Sequence, residues 1–343
     1  MPQVEAIADV LIAGQKELGR MKFTDIASKL RRYVAMPGLI KQEKVGFSDG
    51  HQIQFQIKVT QAGSARATAP YASDVVNVTD TLKSATVPWK HVTANYAFDE
   101  FEMMVVSGQS EILDLMKSRR YDCMLDLAEL METYFWSLST LNSDNPWGVP
   151  NYIVKNNTTG FNGGHPTGYS DVAGVSRTTY TAWKNYTAQY AAISKTDLIR
   201  KWRRAARETK FKPSVDYPSY NRGDHYGYYT NLDVVLESEE LLEAQNDNLG
   251  PDIASMDGEL LFRRIQVTDV PKLADDADDP IYGINWGVFH PIFHRKRFMR
   301  EKGPTIVPGQ HTVFATHVDL TYNIECRNCR EQFVIAKDTT GGI

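Results

Sequence analysis

His290 and His294 stand four residues apart, an interval that on one helix face can present two imidazoles to a zinc ion. Pro291 follows the first of them, and no glutamate occupies the place that the metalloprotease pattern needs, so the pair reads as surface or interface histidines. Cys326-Arg-Asn-Cys329 is one metal half-site at most, because structural zinc takes four ligands and the third cysteine, Cys123, falls inside a helical pattern. Redox pairs of this spacing belong at the start of a helix, whereas Leu320–Ala336 reads as strands, which leaves plain reduced cysteines. Asp275, Asp276, Asp278 and Asp279 crowd in front of Pro280 without calcium-loop spacing. They read as a solvated loop, with pairing to a basic patch on another subunit as the functional alternative. No Gly-x-x-x-x-Gly-Lys-Ser/Thr loop and no Gly-x-Gly-x-x-Gly fingerprint occurs, so the nucleotide-binding readings lose their best supports.

Two basic clusters remain: Arg200, Lys201, Arg203, Arg204 and Arg207 around Trp202, and His294-Arg-Lys-Arg297 with Arg300 and Lys302. Each fits a solvated face, contacts with acidic neighbours, or weak sequence-blind phosphate contacts, and no base-reading module accompanies them. The 343-residue chain carries 38 basic and 42 acidic residues, a net charge of −4, so no overall positive field draws it to nucleic acid. A hydrophobic fraction of 42% and a charged fraction of 23% are those of a folded globular protein. No run approaches ~20 uninterrupted apolar residues, and the first twenty residues lack a signal-peptide pattern, so neither a membrane span nor secretion is expected. Three cysteines in a chain of this size suit a reducing cytoplasm. The 17 Tyr, 14 Phe and 6 Trp favour large buried interfaces.

The elements that would position these residues follow from periodicity. Apolar positions predict amphipathic helices over 3–18 and Phe23–Val34, each too short to stand alone in water. His51–Thr60 alternates almost without error, with Ile53, Phe55, Ile57 and Val59 on one face, a strand with one wet side. A Gly/Ser/Ala/Thr loop follows, then a returning arm through Val75, Val76 and Val78 and the β-rich run Lys83–Phe98, in which Pro88 argues for an edge. The whole of 43–97 reads as a hairpin with arms of about twenty residues, reaching ~60 Å and needing a second molecule to lie on. Residues 111–137 contain neither Gly nor Pro. Ser110 serves as a cap, and Ile112, Leu115, Met116, Cys123, Leu127, Leu130, Met131 and Tyr134 form one stripe, predicting a rod of ~40 Å. Beyond it, helices over Thr196–Phe211 and Ser238–Gln245 mix with strands without strict alternation, an α+β chain.

This order of parts resembles the major capsid (coat) proteins of tailed bacteriophages, the Hong Kong 97-type fold also used by encapsulins and herpesvirus capsid floors. Three stretches carry local likeness: Trp147-Gly-Val-Pro-Asn-Tyr-Ile153, Tyr229-Thr-Asn-Leu-Asp-Val-Val235 before a helix, and Thr316–Arg330 ending in a polar, Arg-bearing turn. The resemblance implies an N-terminal arm (1–42), an extended β-loop (43–97) and a peripheral domain (98–195) with a spine helix at 110–137. It further implies an axial domain (196–305) and a return to the peripheral sheet (306–343).

It also implies a structural, non-enzymatic protein without cofactors that assembles with itself into pentamers and hexamers of an icosahedral head enclosing double-stranded DNA. The expected partners are other copies, a separate scaffolding protein, a portal, a decoration protein, and packaged DNA through non-specific contacts, with no membrane. The expected location is the virion, assembled in the host cytoplasm. Ile53, Phe55, Ile57, Lys58, Trp89, Trp202, Arg203, Arg204 and Arg207 are the expected subunit-interface residues. Lys58 is the only lysine between Val45 and Thr81, but nothing marks it as reactive, and no cross-linking is expected. The alternatives are an encapsulin-like compartment and a tail-tube or adaptor subunit.

Overall fold

The computed structural model describes residues 46–63, 65, 67–70, 80–105, 109–210, 225–243 and 260–337. The helices expected at 3–18 and Phe23–Val34, and Val75, Val76 and Val78, lie outside the described residues, as do the side chains of Ser110 and Ile112.

The first described elements are strands β1 (Gly46–Ser48), β2 (Gln52–Lys58), β3 (Leu82–Pro88) and β4 (Lys90–Asp99), then the short helix α1 (Glu100–Val105). The long helix α2 (Gln109–Trp136) has 28 residues, a rod of ~42 Å. Met116, Cys123, Leu127, Met131 and Phe135 recur at intervals of seven or four and are all buried, so one stripe faces the core. Leu130 and Tyr134 of the expected stripe are half-buried, and Phe135 and Trp136 take the innermost places. Arg119 joins α2 to the preceding elements, donating to Glu102 Oε1 and to the carbonyl of Ala97, each at 2.7 Å.

After α2 come the single turn α3 (Val149–Tyr152), β5 (Tyr186–Tyr190), α4 (Leu198–Glu208), β6 (Tyr226–Thr230) and α5 (Leu232–Glu243). The chain then forms β7 (Leu261–Phe262), β8 (Ile265–Asp269), β9 (Ile281–Asn285), β10 (Phe289–His294), β11 (Arg300–Val307), β12 (Gln310–Cys326) and β13 (Phe333–Lys337). β12, 17 residues long, is the centre of a five-stranded sheet. β4 runs antiparallel along one side of it, while β11 and β10 lie end to end along the other, with β1 parallel to β10. The second sheet has the order β5-β13-β9-β6-β8-β7 and mixes parallel with antiparallel pairs.

The second sheet separates two cores. On one face Phe333 and Ile335 of β13 join Leu198, Trp202 and Ala205 of α4 and Val234 and Val235 of α5. On the other face Val334 and Tyr282 join the core that contains the α2 stripe. Gly283 makes room for this arrangement, since a Cβ there would lie 2.1 Å from the ring of Phe333. The strand pairings differ from the divisions expected at 195–196 and 305–306. β5 and β13 share a sheet with β6–β9, whereas β10 and β11 belong with β4 and β12.

The expected hairpin is also revised. Among the described residues β2 pairs with β3 from Gln52↔Pro88 to Lys58↔Leu82, a ladder of seven residues per arm and about 23 Å. The returning arm breaks at Trp89, and its second half, β4, pairs with β12 instead of continuing the ribbon. Pro88, without an N–H, stands at that break. Ile53, Phe55, Ile57 and Val59 alternate with exposed Gln54, Gln56 and Lys58 as the period predicts. Their buried face belongs to this chain's own core with Ala85, Val87, Val172, Ala173 and Trp183, and Thr86 N–H donates to the carbonyl of Ala173 at 2.9 Å.

Candidate assembly surfaces

The residues with catalytic or ligating potential are taken up by the fold. His290 is buried on β10 opposite Glu325 of β12. His294 lies at the end of the same strand, where Nδ1 accepts from the N–H of Lys296 at 3.3 Å. Two residues four apart on a strand are ~13 Å apart along it, so the histidines do not form a ligand pair. Cys326 and Cys329 are both fully buried where β12 turns toward β13, and burial pushes the Cys326 thiol far up. Among the described residues no group of three or more His, Cys, Asp or Glu is placed to hold a metal ion, and no helix is long and apolar enough to cross a membrane.

Gly46-Phe47-Ser48-Asp49-Gly50 carries the Gly-x-Ser-x-Gly spacing of a hydrolase elbow. That elbow needs a strand leading into a helix with the serine on a base. Here β1 leads through a bend into β2, and Ser48 Oγ donates to the Asp49 carbonyl. Ser48 stands opposite His294 in the β1/β10 register, but no hydrogen bond joins them.

The acidic run before Pro280 is not a solvated loop. Lys155 Nζ donates to both Asp276 oxygens at 2.7 Å and to Asp278 at 2.9 Å, and Asp279 pairs with Lys337 at 3.1 Å. These carboxylates hold the entry to β9 against the segment after α3 and against the end of β13, so three of the four are already paired inside the chain.

A second buried network fixes the segment after α2. Arg177, fully buried, donates to the Gly164 carbonyl at 2.7 Å, to Asn185 Oδ1 at 3.2 Å and to the Tyr152 carbonyl at 2.5 Å. Asn323 of β12 accepts from Trp147 N–H at 2.9 Å and donates to the Pro88 carbonyl at 2.7 Å, tying the foot of the ribbon to the central strand. Nothing in the local sequence around Arg177 or Asn323 signals these roles, because every partner but Ile324 is remote.

The expected interface residues divide into three groups. Ile53, Phe55, Ile57 and Trp202 are at most 6% exposed and packed within their own chain, so they offer no side-chain surface to a neighbour. The alternation and the helical stripe report which face is apolar, and the covering layer proves to be intramolecular. Trp202 stacks on Phe262 with centroids 4.1 Å apart and meets Tyr228 edge-on at 5.3 Å. Trp89 is half-buried, with Nε1 donating to the Gly50 carbonyl at 3.0 Å and its ring 5.2 Å from that of His294. Lys58, Arg203, Arg204 and Arg207 are exposed. With Arg200, the last three fill the face of α4 opposite Leu198, Trp202, Ala205 and Ala206. Arg204 pairs with Glu208 at 2.6 Å and Lys201 with Asp197 at 2.5 Å, one turn apart in each case.

Two exposed faces were not anticipated. α1 presents Phe101, Met104 and Val105, the last 82% exposed. α5 presents Leu232 and Leu236, about half exposed, interleaved with exposed Asp233, Glu237 and Glu240. The helical spacing of 232, 233, 236, 237 and 240 was a signal for the second of these.

Solved structures carry the same arrangement over nearly the whole chain. The capsid of cyanophage A-1(L) matches with a TM-score of 0.62 at 15% identity, covering 93% of this chain and 97% of that one. The capsid of a native GTA particle matches at 0.60 and 11%, covering 95% and 97%. The capsid of cyanophage Pam1 matches at 0.54 and 10%, covering 94% and 97%. The chain has the Hong Kong 97-type capsid fold. No protein-family model and no curated protein matches the sequence. At 10 to 15% identity the capsid fold is held in common through packing and strand order rather than through shared residues.

Proposed function

We propose that this chain is the major capsid protein of a tailed bacteriophage, a structural rather than catalytic subunit of the virion. The observation that supports this most is reciprocal coverage: 93% of this chain aligns with 97% of a phage capsid chain. A match of that extent leaves no room for a large separate catalytic domain among the aligned residues.

In this reading α2 is the spine, the five-stranded sheet around β12 is the peripheral domain, and the six-stranded sheet with α4 and α5 is the axial domain. Copies assemble into pentamers and hexamers, and these into an icosahedral shell around double-stranded DNA. The wet face of the β2–β3 ribbon, with Lys58 on it, meets neighbours, and the arm expected over 1–42 lies outside the described residues. Obligate interfaces of this type bury more than ~2,000 Å². A separate scaffolding protein, a portal and a decoration protein complete the particle, and DNA contact is non-specific.

The test is electron microscopy of the protein expressed alone and with a scaffolding protein from the same gene neighbourhood. Capsomers and closed shells are expected. Folded protein that stays monomeric under both conditions would overturn the reading. Closed shells with an enzyme cargo would assign it to a storage compartment, and open tubes to a tail.

A further inference from the structure

The two helices covering the outer face of the six-stranded sheet carry opposite charges on their exposed sides. α4 exposes Arg200, Arg203, Arg204 and Arg207, while α5 exposes Asp233, Glu237 and Glu240 around Leu232 and Leu236. α4 lies over β5 and β13, toward one edge of the sheet, and α5 lies over β8, toward the other. No salt bridge joins any of these arginines to any of these acids, and among the described residues Arg200, Arg203 and Arg207 make no ion pair at all.

We propose that the basic face of α4 docks on the acidic, leucine-bearing face of α5 in a second copy of this chain, head to tail around a ring. The pairing presupposes the shell assembly proposed for the chain and names the contact that sets its polarity. The two faces are different surfaces of one subunit, so each contact uses α4 of one copy and α5 of the next, the heterologous geometry that generates rings. Leu232 and Leu236 supply an apolar centre, rimmed by acids, onto which the methylene stems of the arginines can lie while their guanidinium groups reach the carboxylates. Nucleic acid is the poorer occupant of α4. The flanking acidic face of α5 repels phosphate, and the chain as a whole carries a net charge of −4.

Charge reversal tests this directly in the full chain. One variant carries Arg203→Glu and Arg207→Glu, the other Glu237→Arg and Glu240→Arg; all four positions are exposed, and matching melting curves establish that both fold. Each variant alone, with like charges facing across every contact, is expected to lose roughly tenfold or more of its capsomers at physiological salt. An equal mixture is expected to recover assembly, because alternation restores opposite charges at both contacts, and only even-membered rings close. Should either reversal fail to fold, Gln replacements at the same positions serve instead, with loss of the salt dependence of assembly as the readout. Variants that assemble like the wild type, mixtures that stay monomeric, or mixtures that stop at dimers would each overturn the pairing. Loss of binding to a short DNA duplex by the first variant alone, with no recovery on mixing, would assign α4 to phosphate instead. A wild type that never assembles would overturn the shell reading itself, a result distinct from a wild type that assembles while the mixture does not.

Discussion

Gly148 lies against the last turn of the long helix so closely that a Cβ would come 2.5 Å from the carbonyl oxygen of Tyr134. Ser137 and Phe135 carbonyls would be 2.3 Å and 2.7 Å away, so three backbone oxygens surround a space that hydrogen alone can fill. The tight approach lets Gly148 N–H and Ser139 N–H share Asn151 Oδ1, at 3.0 and 3.1 Å. Gly148→Ala is therefore expected to destabilise the protein by at least ~1–3 kcal/mol. Thermal unfolding against Gly164→Ala, where nothing lies within 4 Å of an added Cβ, separates the close contact from the general effect of the substitution. Equal melting temperatures would refute it.

Arg177 satisfies two carbonyls and Asn185 from a fully buried position. Replacing it with Met leaves those acceptors without donors, at an expected cost of roughly 3 kcal/mol. Lys keeps the charge but cannot form the fork, so Arg177→Lys is expected to recover only a small part of the loss. Urea denaturation reads both, and a Lys variant as stable as the wild type would contradict the geometry.

Lys155 joins a segment after α3 to Asp276 and Asp278 ahead of β9. Its side chain is only 14% exposed, which sets it apart from an ordinary surface ion pair. A double-mutant cycle of Lys155→Ala with Asp276→Ala is expected to give a coupling of about 0.5–3 kcal/mol. A coupling of zero would return the acidic run to the role of a solvated loop.

Burial pushes the hydroxyls of Tyr186, Tyr228 and Tyr229 up to about 12. Unfolded tyrosine titrates near ~10, so the folded state holds its proton more tightly. That contribution to stability is complete below about pH 10 and is lost as pH rises from there toward 12. The urea midpoint should stay flat with respect to these groups up to about pH 10 and then fall, with tyrosinate absorbance appearing late. Tyr229→Phe should reduce the slope, and a midpoint unchanged up to pH 12 would count against it.

The parts of this fold legible in sequence are those set by local periodicity. The absence of Gly and Pro from 111–137 and the four-residue stripe gave the spine helix to within a residue or two, and strict alternation gave β2 with its faces correctly assigned. Partner choice is a different kind of information. Period two in the Lys83–Phe98 run specifies a strand but not which strand lies beside it, and β4's partner begins more than two hundred residues later. Lys155 and Asp276 are 121 residues apart, Trp147 and Asn323 are 176, and neither pair leaves a local trace. The same limit explains the interface residues. Apolarity at Ile53, Phe55, Ile57 and Trp202 correctly marked burial, whereas the layer that buries them belongs to the same chain. The acidic face of α5 was recoverable from helical spacing, but the helix was expected only over Ser238–Gln245, whereas α5 begins at Leu232 and Ser238 lies buried within it.

β4 and β12 are paired antiparallel over ten consecutive residues, from Lys90↔Tyr322 to Asp99↔Val313, and β11 braces the opposite side of β12. Tension applied along such strands strains the ladder bonds together in shear, whereas tension across them would unzip the bonds one after another. The sheet is therefore stiff against load in one direction and peelable in the other. How the strands are oriented relative to the load decides which of the two properties the sheet shows.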